Sequence, residues 1–167
     1  MRRVLLLFAA LAAFAAAGAQ PAGRAEHGPD RETFVYAVRD GDSLRLDRYP
    51  ALSSAAGARP CMIFLFGGGF LTGTRDNRRF LPYFRHFTAR GCDVVSIDYR
   101  LGMKRAKAAG LLDEAHFAQA LDSTLSMAME DLYDATAYVC ERMSDVDPAR
   151  IVTCGSSAGA ITVLMGE

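Results

Sequence analysis

The chain has 167 residues, 51% of them hydrophobic, with Lys+Arg and Asp+Glu both at 19. That is enough apolar material for one domain with its own core. The balanced charge excludes a basic stripe that would recruit nucleic acid, and there is no long acidic tail, internal repeat or low-complexity tract.

Met1-Arg2-Arg3 is a short positive head, residues 4–17 are continuously apolar, and Ala17-Gly18-Ala19 is a small-x-small site. This pattern predicts a secretory signal peptide over residues 1–19, cleaved before Gln20, and a secreted or periplasmic location. The apolar run falls short of the about 20 residues that a bilayer span needs. No cysteine follows the site, so lipid modification there is not expected. Residues 20–32 are polar and turn-rich, a leader at the start of residues 20–167, which read as the N-terminal portion of one domain.

Residues 34–38 and 44–49 predict two strands, with Asp40-Gly41-Asp42 as their hairpin turn. Leu44, Leu46 and the stem of Arg48 alternate with polar positions, so the pair reads as half exposed, like a sheet edge. Residues 61–66, 94–97 and 151–154 are apolar on both faces, as in parallel strands covered by helices on each side. Between them, Phe80, Tyr83, Phe84 and Phe87 recur at helical spacing, closed by Gly91. Leu132, Ala135, Tyr138 and Val139 mark a second helix, with Asp147-Pro148 beyond its end. Residues 101–126 read as a solvated insertion with a helix around 113–126; a cap over a site is the rival reading. The order β-hairpin, β, α, β, insertion, α, β, α defines an α/β sheet with crossover helices.

Cys61, Cys92, Cys140 and Cys154 are even in number, and an oxidising compartment permits disulfides. Their apolar and helical settings favour buried free thiols, with Cys61–Cys92 the first pair to test.

Gly155-Ser156-Ser157-Ala158-Gly159 lies between a strand and a helical stretch. A Gly-x-Ser-x-Gly turn there is a nucleophile elbow: the serine has a strained backbone, and its neighbours at −2 and +2 must be small. By composition alone the pattern recurs by chance in about one chain in twenty, so its setting carries the weight. Ser156 lacks the symmetric glycine spacing and reads as a helix-opening hydroxyl. Phe66-Gly67-Gly68-Gly69-Phe70 follows a buried strand, and its unshielded N–H groups suit a developing oxyanion.

These motifs, with Asp98-Tyr99-Arg100-Leu101 and Asp147-Pro148-Ala149-Arg150-Ile151, come in one order at fitting separations. Together they resemble the carboxylesterase type of α/β-hydrolase, similar to the hormone-sensitive-lipase-like and type-B esterases, from about residue 33 onward. The resemblance implies Ser157 as nucleophile and the amides of Gly68, Gly69 and Ala158 as the oxyanion hole. It implies structural roles for Tyr99 and Arg100 in holding the loop after the fourth strand. Phe66 stands where these families often carry His, and aromatic variants occur in the type-B group. The implied substrate is a small-molecule ester, with no cofactor, no metal and no nucleic acid.

In this fold the triad runs Ser, then Asp or Glu, then His. After Ser157 the acidic residue present is Glu167, and His27, His86 and His116 all precede the serine. His86 reads as a surface helix residue. The expectation is therefore an incomplete α/β-hydrolase fold, ending after the nucleophile helix: the N-terminal portion of a longer enzyme, with negligible turnover alone. A serine exopeptidase of the same fold and a non-catalytic binding protein remain alternatives.

Overall fold

The computed structural model describes residues 31–52 and 57–166. The expected signal peptide, most of the leader and Glu167 lie outside the described residues.

The elements are β1 (Glu32–Arg39), β2 (Asp42–Tyr49), β3 (Arg59–Leu65), α1 (Leu81–Thr88), β4 (Asp93–Ile97), α2 (Gly102–Ala108), α3 (Phe117–Arg142), β5 (Val146–Gly155) and α4 (Ala158–Met165). One five-stranded sheet has the order β1-β2-β4-β3-β5. β1 and β2 are antiparallel, β2 runs antiparallel to β4, and β3 is parallel to both β4 and β5. This is the α/β architecture with an N-terminal antiparallel hairpin that the sequence predicts.

Local chemistry explains the elements. Asp40 and Gly41 both have positive φ, 53° and 84°, the backbone of a tight turn whose twist matches the flanking strands. Every residue of β4, and β3 from Cys61 onward, is buried. Successive strand side chains face opposite ways, so unbroken burial requires cover on both faces. On one face, Phe64 packs against Phe80 (4.7 Å between centroids) and Phe84 (5.1 Å), and Tyr49 reaches Phe84 at 5.1 Å. Gly91, with φ 81°, ends α1 by donating to the Thr88 carbonyl. Elsewhere α3 packs on β1, β5 and α4, with Tyr138 against Phe34.

Three expectations need correction. Only β1 stands at that edge; β2 lies inside the sheet, and Asp47 is fully buried. Its carboxylate accepts from Thr33 Oγ1 (2.7 Å) and Arg31 (3.3 Å), which satisfies a charge that an alternating pattern assigns to solvent. The two expected helices, around 113–126 and around 132–139, are one: α3 runs unbroken for 26 residues, and a separate α2 fills the first part of the insertion. Finally, β5 is longer than residues 151–154 and half exposed, with Val152 39% accessible, because β3 is its one strand neighbour among the described residues. Pro148 sits within it, as an edge position permits.

The four cysteines are unpaired; Cys61 is buried, but Cys140 is exposed on α3.

Candidate active site

In parallel α/β sheets the loops leaving the carboxyl ends of adjacent strands meet, and that edge is where sites form. Here β3 and β5 are neighbours, with Leu65 paired to Gly155. Their outgoing loops are the triple-glycine stretch and the serine turn.

The serine turn is strained. Ser157 has φ 52° and ψ −116°, a backbone that L-residues with a Cβ rarely adopt. Such strain costs about 1–3 kcal/mol and persists where the surroundings impose it. The surroundings are visible. Ser156 N–H donates to the Leu65 carbonyl (3.0 Å), and Gly159 N–H donates to the Ser156 carbonyl (3.0 Å). A Cβ at Gly155 would stand 2.4 Å from the Gly159 backbone, and one at Gly159 would stand 2.3 Å from the Leu65 carbonyl oxygen. Both flanking glycines are thus required by close approach. Ser157 itself is exposed, at the start of α4, with Ala158 buried beneath it.

The glycine loop is pressed against this turn. A Cβ at Gly67 would lie 3.0 Å from Ser157 Cβ and 2.6 Å from the Ser156 carbonyl oxygen. Gly68, at φ 141°, turns its backbone so that its carbonyl accepts from Leu71 and Thr72 N–H, each at 3.1 Å. Gly69, at φ 63°, faces open space. Among the described residues, the N–H groups of Gly68 and Gly69 donate to no other group. The Ala158 N–H opens α4, where no intrahelical acceptor exists for it. Four of the features expected from sequence therefore converge on one edge: Ser157, Gly68, Gly69 and Ala158.

The motif includes Gly67 without giving it a role of its own, and nothing in it points to Gly73. A Cβ at Gly73 would meet the Phe66 ring at 2.5 Å. A glycine whose φ is ordinary, such as Gly67, gives no local sign that another loop touches it.

Rival nucleophiles fall away. Burial pushes the Cys154 thiol up to about 11, so it stays protonated at neutral pH, beside Tyr83 Oη at 3.8 Å. Burial likewise pushes Cys92 to about 11 and raises Cys61 further. His86 is exposed on α1 with its ring edge-on to Phe87. His116 stands at the residue before α3, exposed, with Nδ1 2.6 Å from Asp113 Oδ1.

Asp98, Tyr99 and Arg100 leave β4 in three directions. Asp98 holds Arg75 of the glycine loop's far end at 2.8 Å. Arg75 Nε also lies 3.1 Å from Asp47, a charge contact without hydrogen-bond alignment. Arg100 is bound to α3: its Nε donates to Asp131 at 2.9 Å and its terminal nitrogen to Glu130 at 2.7 Å, and its backbone N–H also reaches Asp131. That ties the loop after β4 in place, as the motif implies.

A glycine loop and a strained serine turn on adjacent parallel strands are the arrangement of an α/β-hydrolase, and the comparisons agree. The chain matches the BD-FAE family model over residues 46–166 and belongs to that family. It is 32% identical over 130 residues to phenmedipham hydrolase of Pseudarthrobacter oxydans, covering 74% of this chain and 23% of that protein. It is 27% identical over 124 residues to esterase B1 of Culex pipiens, covering 73% of this chain and 21% of that one. The fold superposes on native esterase Est2 of Thermogutta terrifontis with a TM-score of 0.63 at 28% identity, over 82% of this chain and 44% of that chain. The same enzyme phosphorylated by paraoxon gives 0.63 at 27% identity, over 81% and 46%. The chain thus spans under a quarter of these curated relatives and under half of these solved esterases.

Proposed function

We propose that the protein is a serine hydrolase of small carboxylic esters, with Ser157 as nucleophile. The observation that carries this reading is the exposed Ser157 at positive φ, with Gly67 packed on its Cβ and the free amides beside it. In the reaction Ser157 Oγ attacks the ester carbonyl carbon while its proton passes to a base. The carbonyl oxygen becomes an oxyanion, held by the N–H groups of Gly68, Gly69 and Ala158. The intermediate collapses, the alkoxide leaves with the proton from the base, and water repeats the sequence to release the acid. In the triad order of this fold an acid and then a histidine follow the serine; after Ser157 these 167 residues hold Glu167 and no histidine. The 167 residues alone are accordingly expected to give negligible turnover. The esterase names of one relative and of the structural neighbours support an ester-type substrate, and phosphorylation of a structural neighbour by paraoxon supports an organophosphate-sensitive serine.

The test is stoichiometric modification by paraoxon of the longest translated product carrying this chain, beside Ser157→Ala. A single adduct, lost in the variant, is expected; an unmodified wild type overturns the reading. Faster cleavage of aminoacyl-anilides than of p-nitrophenyl esters would move the substrate class to peptides. The signal peptide over residues 1–19 belongs to the same proposal, with a secreted or periplasmic enzyme. Its test is mass spectrometry of the mature N-terminus, expected at Gln20. Among the described residues no helix is long and apolar enough to cross a membrane.

A further inference from the structure

Tyr99 does something other than hold its own loop. Its hydroxyl, buried, donates to the Phe66 carbonyl at 2.6 Å, reaching from the end of β4 to the end of β3. Its ring stacks on Phe66 with centroids 4.6 Å apart, and Phe70 meets it edge-on at 6.2 Å. Phe66 and Phe70 are the residues that bracket Gly67, Gly68 and Gly69. On its other side the Phe66 ring lies against Gly73, where no Cβ fits. Phe70 is buried at φ 58°, an unusual backbone for a bulky residue, and its carbonyl accepts from Lys104 N–H at 3.1 Å. The three glycines have no side chains with which to fix their own peptide planes. Their geometry is inherited from the aromatic residues at each end, and both of those rest on Tyr99.

We propose that Tyr99 is the positioning residue of the glycine loop, its hydroxyl and ring together fixing the Phe66 and Phe70 ends so that the Gly68 and Gly69 N–H groups point at the reacting carbonyl oxygen. The catalytic part of this statement rests on the reading of Ser157 as nucleophile; the positioning part does not. Burial raises the Tyr99 phenol above its ordinary range, so the hydroxyl remains a donor at working pH. The hydroxyl matters because the Phe66 carbonyl is the hinge of the peptide that leads into Gly67. Without the donor, a buried carbonyl loses its partner and the peptide is free to rotate toward another.

The experiment uses Tyr99→Phe, which keeps the ring, with the exposed Asp122→Asn as control. Amide hydrogen exchange over residues 66–73 reads the loop whether or not Ser157 reacts. About tenfold faster exchange there is expected, with residues 59–65 of β3 unchanged, the scale of one lost buried hydrogen bond. Unchanged protection over residues 66–73, or equal acceleration in β3, overturns the proposal. Paraoxon kinetics on the same proteins supply the second readout: the limiting phosphorylation rate should fall about tenfold while the concentration for half-maximal rate stays put, because an oxyanion donor acts mainly in the transition state. If wild type reacts and Tyr99→Phe reacts at the same limiting rate, the positioning role is wrong. If wild type does not react at all, the nucleophile reading fails, and the exchange data still decide for or against Tyr99.

Discussion

The two ends of the parallel strands are built on opposite principles. At the amino ends, Arg59 opens β3, Asp93 opens β4, Asp145 directly precedes β5, and Arg48 comes across from β2. These four charges form one cluster. Arg59 Nε donates to Asp93 at 2.8 Å, Arg48 Nε donates to Asp93 at 2.9 Å, and Arg48 reaches Asp145 at 2.6 Å. Asp93 is fully buried and accepts the Ala51 N–H as well. At the carboxyl ends, glycines replace side chains, donors are left free and the backbone is strained at Ser157 and Phe70. At the amino ends the buried charges are paired with one another; at the carboxyl ends the Gly68 and Gly69 N–H groups have no partner among the described residues, as the proposed reaction requires. On the proposed reading, stability and reactivity fall to opposite edges of one sheet.

The comparison breaks most sharply on Ser157→Ala. Reaction with paraoxon should fall by at least about 10³-fold, the scale of losing a triad nucleophile, with the thermal midpoint little changed. The mirror experiment is Asp93→Ala. It leaves Arg48 and Arg59 without their shared carboxylate, and a loss of about 3–5 kcal/mol by denaturant titration is expected, with Ser157 still reactive wherever the protein is folded. Should Asp93→Ala prove neutral in stability, the amino-end cluster is ornament rather than anchor.

pH sharpens the same contrast. Burial pushes the Asp93 carboxyl up, but hydrogen bonds from Arg59, Ala51 N–H and Arg48 outweigh it and hold the group below the ordinary carboxylate range. Arg48 and Arg59 hold Asp145 down likewise. For an acid whose folded pKa is depressed, the stabilisation is complete above its unfolded value of about 3.9 and disappears as pH falls through the folded value. Acid unfolding below about pH 4 is therefore expected, measured by far-UV circular dichroism, and Asp93→Asn should flatten that slope.

Smaller effects separate the glycines. A Cβ at Gly68 would stand 2.0 Å from the Thr72 carbonyl oxygen, whereas one at Gly69 meets nothing. Gly68→Ala should displace the loop and both unfold more readily and react slowly. Gly69→Ala should cost only the about 1–2 kcal/mol of a left-handed backbone. Smallest of all, Ser157→Gly should gain about 1 kcal/mol in the denaturation midpoint by relieving the strained φ, while abolishing reaction.

The sequence showed some of these parts more clearly than others, and the reasons are local. β3 and β4 were legible because unbroken apolar runs have no other stable place, and Asp40-Gly41 because its turn needs positive φ. Ser157, Gly68, Gly69 and Ala158 were legible as motifs, and the fold does bring them to one edge. β2 misled because Asp47 looks like a solvent position; its partners lie on other elements, where no local pattern can announce them. α3 was split in two because its first turns, from Phe117 to Ser126, mix apolar with small and polar residues, and its mid-section bears no break signal either. The amino-end cluster was invisible for the same reason as Tyr99: its members are contributed by several strands, one residue each.

The β3–β5 ladder, which includes the pairing of Leu65 with Gly155, joins residues farther apart in the chain than any other ladder in the sheet. Closing so long a loop carries the largest entropic cost, so this contact is favoured to form late. Until it forms, the Leu65 carbonyl has not received the Ser156 N–H, Gly159 has nothing to press against, and the strained turn does not exist. During folding Ser157 therefore stays in ordinary backbone until β5 has docked on β3, so the strain at this turn is a product of tertiary structure and not of the local sequence.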